Sequence, residues 1–354
     1  MIATNFITFD TMNIPFPSPT NSSFTFIDLF AGIGGFRIAL QNLGGKCVFS
    51  SEIDKYARQT YEANFGEIPF GDITLEETKA HIPKNFDILC GGFPCQPFSV
   101  SGKMKGFEDT RGTLIYHVFK IIENHNPKVV FLENVKHLLY HNKKLTLTTI
   151  IQHLEELGYK VSVKVLNAVD FGLPQNRERL IIVGHRYKKF DFSCVQIQPK
   201  VALKYFLDDD NKNFEYLQDN YTILEEQKKQ KSGLIFAGFR NKKIRDKGVR
   251  PGTEHLSRVH KQPNRIYSTE GVHPTIPSQE SSGRFWIWHQ KKVRKLTIEE
   301  CYRIMGFPHF FKFVSAKSEL YKQIGNSVAI PMIQEITKQI QNQLLNDKQN
   351  DGNK

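Results

Sequence analysis

The feature that most restricts the fold of this chain lies near its start, where an apolar run at residues 24–30 meets Ala31-Gly32-Ile33-Gly34-Gly35 and continues as a second apolar stretch over 36–43. The first run reads as a buried strand, the glycines allow a tight turn, and the second stretch, closing on Gly44-Gly45, reads as a helix. Residues 47–51 form the next expected strand. It delivers Glu52, 20 positions after Gly32, where the ribose-binding acid of a nucleotide-binding strand–helix–strand unit belongs. Such a unit builds an open α/β sheet whose ligands gather at the carboxyl ends of the strands. A dinucleotide fingerprint would carry a third glycine where Arg37 stands. That disfavours a pyrophosphate cofactor, and with it a dinucleotide-dependent oxidoreductase. A nucleoside without phosphates fits better, and S-adenosylmethionine is the obvious candidate.

Residues 86–90 read as another buried strand, which Gly91-Gly92 and Pro94 are expected to end. Cys95 then stands just beyond a strand's carboxyl end, followed by a long basic loop (96–112) that includes Ser101, Lys103 and Arg111. Loops of this length inside compact domains are usually lids or binding loops. A buried cysteine beside an ordinary surface loop accounts for the local sequence equally well. Apolar spacing at Leu114, Val118, Ile121 and Ile122 predicts a helix over 113–126. The strand at 128–132 ends at Glu133, whose carboxylate shares the crevice with Cys95 if the two strands are neighbours; a helix cap is the alternative. A helix over 145–157 and strands at 161–165 and 180–184 follow. Arg177 and Arg179 alternate into the last of these and are expected to point the same way. They suit a carboxylate, a base edge or a phosphate, and surface ion pairs explain them almost as well.

The chain has 354 residues and a net charge of +12. The excess is concentrated: residues 227–265 hold twelve Lys and Arg against Asp246 and Glu254, a local balance of +10. Regular periodicity is poor there, so a second, smaller domain of short strands and long loops is expected. Its basic, hydrogen-bonding surface suits a nucleic-acid backbone and groove; a solvated basic face is the alternative. Five cysteines without a CxxC pair argue against disulfides and structural zinc, and no metal is expected. With no signal peptide and no apolar run long enough for a bilayer, a soluble intracellular protein is expected, with no membrane partner. Residues 1–23 read as a flexible leader and 346–354 as a flexible tail. Helices are expected over 296–306 and 331–345, the last packing back on the first domain.

With these residues in view, the chain resembles a DNA (cytosine-5)-methyltransferase of the bacterial restriction-modification type. The motifs carrying the resemblance occur in family order: Phe-Ala-Gly-Ile-Gly-Gly at 30–35, Gly-Phe-Pro-Cys-Gln at 92–96, Glu-Asn-Val at 133–135, Gln-Asn-Arg-Glu-Arg at 175–179 and Gly-Asn-Ser-Val at 325–328. The match spans about residues 24 to 345. It implies a Rossmann-like α/β domain that binds S-adenosylmethionine, with a mixed, mostly parallel sheet and helices on both faces, plus a smaller, irregular β-rich target-recognition domain. The implied boundaries are 24–190 for the first, 191–293 for the second, a hinge at 294–321, and a return to the first domain at 322–345. Phe30, Gly32, Gly34, Glu52, Ile53, Asp72, Ile73, Pro94, Asn326 and Ser327 would hold the cofactor, leaving S-adenosylhomocysteine as product.

Cys95 would be the nucleophile, and Glu133 and Arg179 would hold the target cytosine, with Arg177 beside them as a further catalytic residue. Ser101, Lys103, Arg111, Arg240, Arg245, Arg258, Arg265, Tyr267 and Thr269 would contact double-stranded DNA, the last three within the Arg265-Ile266-Tyr267-Ser268-Thr269 run, which resembles a recurring core of that domain in relatives. The implied reaction proceeds by base flipping and addition of Cys95 to carbon 6. It would protect host DNA from a cognate endonuclease, without a stable complex between the two, in the bacterial cytoplasm. A monomer is expected. A DNA-binding protein without catalysis and an RNA methyltransferase remain as rivals.

Overall fold

The computed structural model describes residues 14–94, 114–209, 214–244, 250, 252–278 and 285–346. A six-stranded sheet runs in the order β2-β1-β3-β4-β7-β5, built from β1 (Phe24–Leu29), β2 (Gly45–Ser51), β3 (Ile88–Gly92), β4 (Val129–Val135), β5 (Lys160–Asn167) and β7 (Glu178–His185). The pairs β1–β2, β1–β3 and β3–β4 are parallel, and β7 lies antiparallel between β4 and β5. The sheet is therefore mixed and mostly parallel.

Alternation along the strands sorts the side chains into two cores. Phe26, Cys90, Phe131, Ile181 and Val183 face one core, which includes α1 (Gly35–Gln41) and a late helix, Ile330–Ile340. Ile27, Leu89, Val130, Leu180 and Ile182 face the other, which includes α4 (Leu114–His125) and α5 (Leu145–Glu156). Between these lie α2 (Lys55–Phe65) and the short α3 (Glu76–Lys79). The later helices are α6 (Ile298–Arg303), α7 (Lys317–Asn326) and α8 (Ile330–Ile340), the last carrying proline in its first turn and burying Ile333, Ile336 and Ile340. Helices thus cover both faces.

The second sheet holds five short strands in the order β13-β12-β10-β9-β8: β8 (Tyr221–Ile223), β9 (Phe236–Arg240), β10 (Arg265–Ser268), β12 (Trp286–His289) and β13 (Lys292–Arg294). Its small core contains Ala237, Ile266, Trp286 and Val293. The two-residue strands β6 (Gln175–Asn176) and β11 (His273–Pro274) pair in parallel and stitch this region to the first.

Two local expectations change. Gly91 and Gly92 are the last two residues of β3, which runs two positions past its expected end: Gly92 is paired with Glu133 on β4. A Cβ at Gly91 would stand 2.5 Å from the Leu29 carbonyl oxygen, so glycine is required there for close strand approach. Residues 14–23 are not a loose leader either. Phe16 packs against Phe65 and Phe310, with ring centroids 5.4 and 5.3 Å apart, and its backbone N–H donates to Asn64 O at 3.0 Å. No helix among the described residues is long and apolar enough to cross a membrane.

Candidate active site

The carboxyl ends of β1, β2, β3 and β4 open into one cavity of about 650 Å³. Its floor is the turn after β1. Phe30 and Gly32 take left-handed backbone conformations (φ 58 and 55), the former uncommon for a side chain of that bulk. Gly32 N–H donates to Glu52 Oε2 and Asp54 N–H to Glu52 Oε1, each at 2.8 Å. Burial pushes the Glu52 pKa up, and these backbone donors pull the other way. Both oxygens keep lone pairs for a hydroxyl-bearing ligand. Ile53, 70 % exposed, rims the cavity, and Asp72, Ile73, Pro94, Asn326 and Ser327 line it. Asp72 Oδ1 is engaged by Thr74 N–H at 2.8 Å. Lys322 on α7 bonds the Asp54 carboxylate that caps α2.

Gly34 serves the cavity from behind. Its φ is 86, and a Cβ would fall 2.2 Å from Phe65 Cε2. Arg37, at the position of the absent third glycine, is fully buried and bound to Tyr61, Glu67 and Ser18. It is a structural anchor turned toward the packed residues 14–23.

Opposite the turn, the pairing of Gly92 with Glu133 places that carboxylate in the cavity wall. Glu133 Oε2 lies 3.3 Å from where a Gly92 Cβ would stand, so this glycine leaves room above the acid. Arg179 Nε lies 2.8 Å from Glu133 Oε1, the side chains being 9 % and 10 % exposed respectively. Burial pushes the Arg179 pKa down, and the adjacent Glu133 carboxylate opposes it. Asn134, which no sequence feature besides its motif singles out, is buried, and its Nδ2 donates to Phe93 O at 2.8 Å. It fixes the backbone two positions before Cys95; the signal was the Glu-Asn-Val motif itself.

Arg177 also reaches the cavity wall, but its guanidinium does not pair with Glu133 as that of Arg179 does. It donates to the carbonyls of Ile276 and Gly325 at 3.1 and 3.0 Å, and to that of Ser327. The expectation that the two arginines point the same way changes: Arg177 precedes β7 and turns toward backbone carbonyls.

In the second region the individual contacts read from sequence fare unevenly. Arg258 is exposed. Arg240 bonds Asp219, and Arg265 Nε donates to His260 O at 3.1 Å. Tyr267 is 2 % exposed and Thr269 4 %. Thr269 Oγ1 donates to Trp288 O at 3.2 Å and lies 3.0 Å from His289 Nδ1. These two side chains face inward and cannot reach a groove in this arrangement. Cys95, Ser101, Lys103, Arg111 and Arg245 lie outside the described residues. Of the other cysteines, Cys47 and Cys90 are buried and do not line the cavity, and burial raises both pKa values, to about 12 for Cys47. Among the described residues no three His, Cys, Asp or Glu side chains are grouped to hold a metal ion.

The sequence model of a family described as C-5 cytosine-specific DNA methylase matches residues 24–342. The chain is 46% identical over 339 residues to the type II methyltransferase M.HpaII of Haemophilus parainfluenzae, covering 91% of this chain and 90% of that one. It is 42% identical over 325 residues to M.HhaI of Haemophilus parahaemolyticus, covering 89% and 93%. The Dnmt2 methyltransferase of S. pombe has the same fold, with a TM-score of 0.65 at 18% identity, covering 91% of this chain and 99% of that one.

Proposed function

From a chain that belongs to the C-5 cytosine-specific DNA methylases, and so is a DNA (cytosine-5) methyltransferase, we propose the finer reading that it methylates one cytosine of a specific duplex sequence after flipping it out of the helix, using S-adenosylmethionine and Cys95. The observation that carries this reading is the buried Glu133–Arg179 pair, set across one cavity from the Gly32–Glu52 turn.

The cavity residues fit an adenosine-bearing cofactor: Glu52 retains acceptor capacity, Ile53 and Ile73 offer apolar surface, and Asn326 and Ser327 bring polar groups to another wall. S-adenosylmethionine supplies, when bound, an electrophilic methyl group. Carbon 5 of cytosine is a poor nucleophile, so the protein must first push electrons into the ring. The Cys95 thiolate does so by bonding to carbon 6, breaking the 5,6 double bond and sending its electron pair toward carbon 5 and the N3–O2 side. Glu133 holds a proton at N3, and Arg179 neutralises charge at O2. After methylation, loss of the carbon 5 proton and departure of the Cys95 sulfur restore the ring. These atoms are hidden in a stacked duplex, so flipping is required, at a cost of about a few kcal/mol. The basic second region supplies compensating backbone contacts. No metal takes part, the protein acts as a monomer, and the modification protects host DNA from a cognate endonuclease.

The test is methyl incorporation into duplex DNA by the wild-type chain and by Cys95→Ser, with bisulfite sequencing of DNA from an expressing host to locate the modified base. Loss of 5-methylcytosine in the variant is expected. Undiminished formation would remove the mechanism, and preferential methylation of RNA would move the substrate.

A further inference from the structure

Gln175 and Arg177 stand in the same motif as Arg179, yet the chemistry above uses neither. Both are buried, at 0 % and 1 % exposure. Gln175 Oε1 accepts Ile276 N–H at 3.1 Å, while its Nε2 donates to Ile304 O at 3.2 Å. Arg177 takes the Ile276 carbonyl with one nitrogen and the Gly325 and Ser327 carbonyls with the other. Thr275 Oγ1 adds a bond to Asn176 O at 2.7 Å. Three stretches therefore meet at one guanidinium: the approach to β7, the segment that follows β11 out of the basic region, and the end of α7 on the cavity wall.

Gly325 closes the junction. A Cβ there would stand 2.3 Å from Pro277 O and 2.5 Å from Ser278 Cα, so the two segments approach this closely only with glycine. Hydrogen bonds from an ionised donor are about twice as strong as neutral ones, and losing the guanidinium leaves buried carbonyls without it. The 275–278 segment thus touches Gly325 directly, and one guanidinium holds both the Ile276 carbonyl and those of Gly325 and Ser327, which line the cavity.

We propose that Gln175, Arg177 and Gly325 form a coupling junction that links the placement of the basic second region to the Ser327 wall of the cofactor cavity, so that duplex DNA and the methyl donor each strengthen binding of the other through it. This rests on the function proposed above. Arg177 is accordingly a positioning residue rather than a catalytic one. Linkage makes the effect reciprocal, and couplings of this kind usually amount to about 5- to 150-fold.

The full chain is titrated with S-adenosylhomocysteine, which cannot react, with and without a duplex carrying the sequence found by bisulfite mapping. The ratio of the two dissociation constants is the readout. A wild-type ratio of about 10 is expected, falling to within about two-fold of unity in Arg177→Met and in Gly325→Ala, with Arg177→Lys in between because an ammonium still reaches part of the carbonyl set. A merely structural role would lower the melting temperature and leave the ratio intact. If Arg177→Met does not fold, Gly325→Ala carries the test from the other side of the contact. A wild-type ratio of one, or an unchanged ratio in folded variants, overturns the proposal. Wild-type chain that binds neither S-adenosylhomocysteine nor duplex would instead bring down the functional reading beneath it.

Discussion

Removing Arg179 alone should cost more stability than removing its charge and that of Glu133 together. The Nε–Oε1 separation is 2.8 Å and both side chains are nearly buried. Two unit charges at that distance interact by about 6 kcal/mol at an effective dielectric constant of about 20. Breaking a buried pair from one side costs about 3–5 kcal/mol, because the partner stays behind as an uncompensated charge. Water entering from the cavity reduces this, which places Arg179→Met near the lower end, about 3 kcal/mol. Glu133→Gln keeps an acceptor for the guanidinium and should cost about 1–2 kcal/mol. The double variant has no stranded charge, so its loss should fall short of the sum by about 2–3 kcal/mol. Urea unfolding of the four proteins at neutral pH measures this, provided the denaturant slopes agree. Losses that add to within about 0.5 kcal/mol would refute the reasoning, since independent sites behave that way.

Other outcomes follow from single side chains. Gly34→Ala adds left-handed strain to a collision 2.2 Å from the Phe65 ring; together these should cost about 2–4 kcal/mol in unfolding experiments, and a loss under about 0.5 kcal/mol would contradict the packing. Asn134→Ala frees the Phe93 carbonyl and should slow methylation about 10- to 100-fold with little change in circular dichroism; full activity would show that this anchor is dispensable. His273 is wholly buried, its Nδ1 lies 2.6 Å from the Pro274 carbonyl, and burial lowers its pKa from 6.5 to about 4. Because the unfolded chain binds the proton more readily, stability is complete above about pH 6.5 and declines by about 3 kcal/mol as pH falls toward 4. His273→Gln should flatten that slope, and an equally acid-sensitive variant would assign the effect elsewhere.

Much of the first region was legible because its signals are local. The turn after β1, the acid at Glu52 and the apolar runs of β1 and β4 each need only a few neighbouring residues to be read. The glycines at 91 and 92 misled because their reason is across the sheet, at the Leu29 carbonyl and the Glu133 carboxylate. Phe16 was hidden for the same cause: its partners Phe310 and Phe311 lie almost the whole chain away. Residues 317–326 form a helix that runs from the expected hinge into the Gly-Asn-Ser-Val motif, its apolar positions too few for the pattern to stand out. Arg177 and Arg179 alternate in sequence, yet the first is captured by carbonyls of two distant segments, which no periodicity reveals. In the second region, short strands and long connections give little pattern, and the Tyr267 and Thr269 side chains went to its interior.

The proposed reaction turns on a transient bond between the sulfur of Cys95 and carbon 6 of a flipped cytosine. A duplex with 5-fluorocytosine at the target position blocks the loss that normally frees the enzyme. In the presence of S-adenosylmethionine, the wild-type chain should migrate on a denaturing gel as a protein–DNA conjugate, with the DNA mapped to the peptide containing Cys95. Only free protein under those conditions, or a conjugate at another residue, would contradict the account.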